Sequence, residues 1–433
     1  MTAREAALRT LVACEKQDAW ADSFLKKTLK EGKLDGRDAA LATRLTFGVV
    51  QNRMLLDWYV DRFAKGKLDL TVRSVLRLGT YQLLFLTRVP ARAAVDESVK
   101  LTRKFCKNPG AAGLVNAVLR NVERNKNDLV PPEDLSIRYS HPRWLVDLFL
   151  ERLGQEDTRC LLECHNSDVP TMAQVNTCSS TAEKVQKALF AVGVEAQPHP
   201  WLDNCLTLTG TGSLEQIEEF RQGAFYIQDA AARLAVLAAD PKPGMKVLDV
   251  CAAPGGKSFA AAIAMKDEGE IVSCDIHPHK QTLIENGAKR LGLKSIRAVT
   301  QNGKERVPEW ENDFDVVITD VPCSGLGIIR KKPDIRYKDP TPLGGLPAVQ
   351  KSILDNACAY VRPGGVLLYS TCTLLERENE AIVRKFVDEH DEFVFEKFEL
   401  PGPVGVVEAG FATLWPHIHG TDGFFIAKLR RKA

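Results

Sequence analysis

The chain has 433 residues, 45% of them hydrophobic and 26% charged, with a formal net charge of +2 at pH 7. That is an ordinary soluble globular composition, long enough for two or three domains and for a core that needs no covalent staples. The start Met1-Thr2-Ala3-Arg4-Glu5 lacks the apolar region of a secretory signal, and no run approaches ~20 uninterrupted apolar residues, so a cytoplasmic chain with no membrane attachment is expected.

From Ala3 to about Asn127 the apolar pattern is helical. Leu8, Leu11 and Val12, then Phe24, Leu25 and Leu29, then Val72, Val75, Leu76, Gly79 and Leu83 recur at three- and four-residue spacings. Pro131-Pro132 marks the end of this all-α domain, which is placed at 1–130. These residues carry 24 Lys and Arg against 14 Asp and Glu, a net of +10 that leaves −8 for the remainder. The excess is densest at 73–92 and 100–107. A basic domain joined to a mildly acidic one points to a polyanion as partner of the first, because Lys and Arg neutralise phosphates and release counterions.

A small α/β module is placed at 131–223, with helices at 142–153, 156–164, 182–192 and 214–220 and strands at 172–176 and 205–208. From 224 to 433, strands at 247–250, 271–274, 296–299, 316–319, 366–369, 393–395 and 424–429 alternate with helices at 257–265, 279–291, 347–360 and 376–390. Such alternation predicts a mostly parallel sheet covered on both faces, a Rossmann-like arrangement. The eleven cysteines are odd in number and include no Cys-x-x-Cys, so neither a disulfide framework nor a zinc ribbon is indicated. Cys160-x-x-x-Cys164-His165 lacks a second ligand pair, and no metal site is expected.

The run Val247-Leu248-Asp249-Val250-Cys251-Ala252-Ala253-Pro254-Gly255-Gly256-Lys257 reads as a strand, a tight loop and a helix start. It is not a Walker loop, because Cys251 stands where that motif needs glycine, and it is not a dinucleotide fingerprint, because its glycines are adjacent. A phosphate ligand is therefore disfavoured. Asp275 closes the next strand about 20 residues on, where a carboxylate accepts hydrogen bonds from ribose hydroxyls. A loop without phosphate grip plus an acidic ribose clamp suits S-adenosylmethionine, whose sulfonium and amino groups are cationic. Asn302, after the third strand, is a candidate for the adenine edge, and Asp320, ending the fourth, for the cofactor or the base.

Two cysteines occupy matching places. Cys323 in Asp320-Val321-Pro322-Cys323-Ser324-Gly325 and Cys372 in Ser370-Thr371-Cys372-Thr373 each follow an apolar strand. If the strands are parallel neighbours, both thiols face one crevice at the carboxyl end of the sheet. The pairing points to covalent chemistry on a pyrimidine. Carbon 5 of a pyrimidine is a poor nucleophile, and a thiolate adding to carbon 6 turns it into an enamine carbon able to accept a methyl group. Arg330, Lys331, Lys332 and Arg336, just beyond, are candidates for holding flanking phosphates. The target base must lie outside a helical stack for the thiol to reach it.

With the segments Cys251 to Lys257, Asp320 to Gly325 and Ser370 to Thr373, the C-terminal part resembles the Sun family of RNA cytosine-5 methyltransferases. The N-terminal part, through Pro90 to Val99 and Gly113 to Arg120, resembles the antitermination factor NusB, and this domain order matches a bacterial 16S rRNA enzyme of that family. The resemblance implies that Cys251, Ala252, Ala253, Pro254, Gly255, Gly256, Lys257, Asp275, Asn302 and Asp320 hold S-adenosylmethionine. It further implies that Cys372 is the nucleophile, with Cys323 assisting product release and Asp320 placed at the base, and that the middle module is akin to an RNA-recognition motif. Asn302 stands where the family usually shows Asp. In DNA cytosine-5 methyltransferases the Pro-Cys cysteine attacks, which here would make Cys323 the nucleophile. The expected partner is 16S rRNA or a small-subunit precursor, bound through the basic N-terminal domain and the catalytic cleft by a monomer. Methylation of tRNA, or a noncatalytic RNA-binding or antitermination role, are the alternatives.

Overall fold

The computed structural model describes residues 1–34 and 36–433. They form two compact units, Met1–Ser167 with Ile329–Lys338, and Asp168–Ile328 with Asp339–Ala433.

The first unit is helical: α1 (Ala3–Lys16), α2 (Ala21–Gly32), α3 (Gly36–Gln51), α4 (Arg53–Asp61), α5 (Leu70–Phe85), α6 (Ala91–Phe105), α7 (Ala111–Arg124), α8 (Leu135–Arg138) and α9 (Arg143–His165). Thr2 opens α1 with a reciprocal cap, its hydroxyl accepting from the Glu5 amide while the Glu5 carboxylate accepts from the Thr2 amide. The periodic residues Leu8, Leu11, Val72, Val75 and Leu76 meet in one core with Leu119 of α7. The two helices expected at 142–153 and 156–164 run together as α9, kinked at Gly154, where φ is +75°. Part of the basic excess is internal. Arg77 is buried and bonds Asp57 and Glu15, and Arg73 pairs with Asp57 and Asp61.

Ile329–Lys338 is stitched into this unit. The Asp334 carboxylate accepts from the Ala21 amide at 2.8 Å and so caps α2, whose own cap residue Trp20 offers no side-chain bond. The Arg336 guanidinium is fully buried and donates to the carbonyls of Gln51, Tyr139, Ser140 and His165 and to Asn166 Oδ1. Burial pulls its pKa down to about 10, which still leaves it charged at neutral pH. Tyr337 donates to the Ser140 carbonyl at 2.8 Å, and Arg53 stacks 3.5 Å from the centre of its ring. The expectation that Arg330 and Arg336 hold RNA phosphates is therefore corrected. Both are buried, and the fork of Arg336 is consumed by backbone carbonyls at helix ends that water cannot reach.

The second unit holds a four-stranded antiparallel sheet of β1 (Thr171–Val175), β2 (Glu195–Pro198), β3 (Cys205–Thr209) and β4 (Phe225–Ile227), in the order β2-β3-β1-β4. It packs on α10 (Ala182–Ala191), with a short α11 (Glu218–Arg221) before β4. β2 and β4 were not expected. Only Ala196 of β2 is buried, so it shows no alternation, and β4 has three residues.

The main sheet contains β5 (Lys246–Asp249), β6 (Glu270–Asp275), β7 (Ile296–Thr300), β8 (Phe314–Asp320) and β9 (Val361–Thr371), then β10 (Phe393–Phe395), a separate hairpin of β11 (Phe398–Leu400) with β12 (Gly405–Val407), and β13 (Phe411–Leu414) and β14 (Phe424–Arg431). Its order is β10-β14-β9-β8-β5-β6-β7, with β13 beside β14. The five strands from β9 to β7 are parallel, while β14, β10 and β13 pair antiparallel. The helices α12 (Ala230–Ala239), α13 (Gly256–Ala264), α14 (Pro278–Leu291), α15 (Leu346–Ala357) and α16 (Glu380–Glu389) accompany it. Two separate cores contain alternate residues of the same strand, Val316 and Ile318 in one and Val317 in the other, which is why β8 is apolar on both faces from Val316 to Ile318. Strand order reverses between β5 and β8, where α/β sheets open a crevice at the carboxyl ends.

Arg336→Met should destabilise the helical unit by about 3 kcal/mol, the cost of orphaning several buried carbonyls. Amide hydrogen exchange would then rise in α8 and α9 and stay unchanged in β5 to β9. Arg336→Lys should recover only part of the protection, because an ammonium lacks the planar fork.

Candidate active site

Cys251 to Lys257 joins β5 to α13. The Ala252 amide donates to the Cys274 carbonyl at 2.7 Å, and the Gly255 amide closes on the Ala252 carbonyl at 2.7 Å. Gly255 has φ +111°, and a Cβ there would lie 2.4 Å from the Phe259 ring. Only glycine fits. Behind the loop, Ser258 Oγ donates to Asp249 Oδ2 at 2.8 Å and Ser273 Oγ lies 2.8 Å from Ser258 Oγ. Asp249 Oδ1 is buried with no partner among the described residues, and burial pushes the Asp249 carboxyl up to about 7. Asp249 was not singled out in the sequence, where a strand-terminal Asp before a loop looks like any cap.

Asp275 ends β6, nearly buried, accepting from the His277 amide at 3.0 Å with Lys280 Nζ at 3.5 Å. Asn302 closes its own turn, donating to Glu305 Oε1 at 2.8 Å and accepting from the Lys304 amide at 3.2 Å. Lys257 is buried and bonds Asp320 Oδ2 at 2.5 Å, while Ser370 Oγ donates to Asp320 Oδ1 at 3.0 Å. Burial alone would lower the Lys257 pKa, but the Asp320 carboxylate, with smaller contributions from Asp249 and Cys372, raises it above the usual lysine value.

β8 and β9 pair in parallel with Asp320 opposite Ser370, so the loops that follow them emerge side by side. Cys323 Sγ and Cys372 Sγ are 3.2 Å apart. Ser324 Oγ and Thr373 Oγ1 join the same loops at 2.6 Å, and the Gly327 amide donates to the Cys372 carbonyl at 2.9 Å. A Cβ on Gly327 would meet the Gly423 carbonyl at 1.9 Å. The hydrogen bond to Cys372, followed by burial, pushes the Cys323 thiol well above the ordinary cysteine value. Cys251, although in the loop, is also pushed up, by burial and then by the nearby carboxylates, so it is no nucleophile at neutral pH.

Three family models divide the chain: NusB family at 1–124, a ferredoxin-like domain of RsmF/B-like methyltransferases at 141–215, and 16S rRNA methyltransferase RsmB/F at 236–430. A probable ribosomal RNA small subunit methyltransferase B of Bacillus subtilis is 35% identical over 99% of this chain and 98% of its own. This chain belongs to the RsmB/F family of 16S rRNA methyltransferases. A second such relative, from Synechocystis, is 33% identical over the full length of both chains. The solved structure of PH0851 superposes with a TM-score of 0.80 at 25% identity and covers 98% of each chain. The architecture is thus a NusB-like helical domain, a ferredoxin-like module and a methyltransferase sheet, and the family's methyl donor is S-adenosylmethionine. The crevice fits that donor: Asp249, Asp275 and Asp320 supply acceptors for a cationic, hydroxyl-bearing ligand, and the cation Lys257 is neutralised by Asp320.

Asp249 makes stability depend on pH with a known sign. Its folded pKa of about 7 lies above the usual carboxylate range, so between about pH 4 and 7 the unfolded chain ionises first and stability falls as pH rises. Asp249→Asn removes this dependence. The thermal midpoint of the variant without cofactor, relative to wild type, should therefore move upward between pH 5 and pH 8.

Proposed function

We propose that the protein methylates carbon 5 of a cytosine in 16S rRNA through a covalent bond between Cys372 and carbon 6. The observation that carries this reading is the 3.2 Å approach of Cys372 and Cys323 at the carboxyl ends of neighbouring parallel strands. The named relatives favour small-subunit rRNA over tRNA, and the intact pair of thiols with Asp275 and Asp320 speaks against a noncatalytic RNA-binding role.

Bound S-adenosylmethionine supplies an electrophilic methyl group. Cys251 to Lys257 with Asp275, Asn302 and Asp320 form the surface for it. The Cys372 thiolate adds to carbon 6, and the electron pair of the 5,6 double bond becomes available at carbon 5. Asp320 is the acceptor for nitrogen 3 of the base once that nitrogen carries a proton, and protonation there eases addition. After methylation the carbon 5 proton leaves to a base, the double bond re-forms and the Cys372 thiolate departs. Cys323, held as a thiol by its bond to Cys372, is placed to assist that departure. On the helical unit, Arg88, Arg92, Arg103 and Lys107 are among the exposed cations available to RNA phosphates.

Tritiated methyl from S-adenosylmethionine should pass to unmethylated small-subunit rRNA and not to tRNA. Cys372→Ala should lower transfer at least about a thousand-fold and form no protein–RNA adduct. Cys323→Ala should accumulate an adduct that survives denaturing electrophoresis. The reverse pattern would make Cys323 the nucleophile.

A further inference from the structure

Each cysteine loop is held by a side chain from a single turn that the reaction scheme does not use. The chain after β9 makes a 3-10 turn at Glu376–Glu378 and enters α16 at Glu380, with Asn379 between. Glu378, Asn379 and Gln350 of α15 are all fully buried.

Around Cys323, the Ser324 amide donates to Glu378 Oε2 at 2.9 Å. Gln350 Nε2 donates both to that oxygen, at 2.8 Å, and to the Pro322 carbonyl, at 2.9 Å. The backbone groups on either side of Cys323 are thus both fixed. Around Cys372, Thr371 Oγ1 donates to Asn379 Oδ1 at 2.6 Å and Asn379 Nδ2 donates to the Thr373 carbonyl at 3.0 Å. The residues on either side of Cys372 are likewise both fixed. The turn is itself anchored to β9, because Tyr369 donates its hydroxyl proton to the Glu378 carbonyl at 2.6 Å.

We infer that Glu378 and Asn379 are positioning residues for the two thiols, Glu378 with Gln350 setting Cys323 and Asn379 setting Cys372. The inference rests on the covalent cytosine reading above. Buried carboxyl and amide groups cost several kcal/mol to desolvate unless their bonds are made; Glu378 Oε1 and Gln350 Oε1 have no partner among the described residues, and every bond these side chains do make, as just described, goes to a cysteine's immediate neighbour or within the bracket. A thiol that must reach carbon 6 along one line tolerates little displacement, and misplacement of about 1 Å costs about a hundred-fold in rate. Consecutive residues on one rigid turn hold two loops at fixed separation with no metal and no covalent link.

The test uses the full-length protein with two substrates: small-subunit rRNA carrying 5-fluorocytosine, whose adduct cannot be released, and ordinary rRNA. Asn379→Ala should slow adduct formation on the fluorinated RNA about ten-fold or more. Glu378→Ala should form that adduct at close to the wild-type rate but accumulate adduct on ordinary RNA, as Cys323→Ala does. Both should bind S-adenosylmethionine within two-fold of wild type by calorimetry. Glu378→Gln, whose side-chain oxygen can still accept from Ser324, should restore release. If Glu378→Ala does not fold, Gln350→Leu replaces it and should also accumulate adduct on ordinary RNA. Wild-type formation and release in these variants, or cofactor affinity and thermal midpoint falling in step with activity, would overturn the inference. Cys372→Ala separates the two layers. An adduct persisting in that variant overturns the nucleophile assignment, and with it the role given to Asn379. Its loss there, with normal kinetics in the turn variants, overturns the positioning role alone.

Discussion

The parallel pairing of β8 with β9 is the constraint on which the site depends. Parallel strands cannot be joined by a hairpin, so the chain between them makes a long excursion, and both strands run the same way and release their loops at one end. With Asp320 opposite Ser370, the loops start level, and residues three and two positions further on bring two sulfurs to 3.2 Å. A slip of one residue would turn alternate side chains to the opposite face and part the loops. The apolar cores on both faces of β8 and β9 make such a slip prohibitively costly. The hydrophobic pattern therefore fixes the chemistry as well as the sheet.

The excursion between these strands does more than connect them. The chain leaves the second unit after Ile328 and rejoins it at Asp339, and the ten residues between are structural parts of the helical unit. One of them caps α2 and another satisfies carbonyls from three separate stretches of the helical chain. The helical unit is therefore not completed by residues 1–167. It takes an element from within the segment that the methyltransferase model matches.

What could be read from the sequence follows the range of the interactions. Periodicity marked the N-terminal domain as helical, and apolar runs placed the strands β5 to β9, because each signal is contained in one segment. The candidate cofactor loop and the two cysteine loops stood out for the same reason: each is a short run at a strand end. β2 escaped because it is an edge strand with a single buried residue, and β4 because three residues carry no period. Arg336 was misread because a cation in a basic run looks solvated, while its acceptors come from positions far away in the chain. Glu378 and Asn379 carry no local mark at all. Each has a backbone partner beside a cysteine, the Ser324 amide 54 residues away for Glu378 and the Thr373 carbonyl for Asn379, and backbone groups have no sequence signature.

The electrostatics of the crevice distinguish two similar thiols. Lys257 lies among Asp320, Asp249 and Cys372, and the Asp320 carboxylate keeps its ammonium charged despite burial. Cys323 is burdened by its hydrogen bond to Cys372, by burial and by the Asp320 charge, each of which penalises its thiolate. Two thiolates at 3.2 Å would repel strongly in a site of low dielectric, so ionising one sulfur holds the proton on the other. On the proposed covalent reading, Cys323 is then the sulfur that keeps its proton, and Cys372 is the one left to attack.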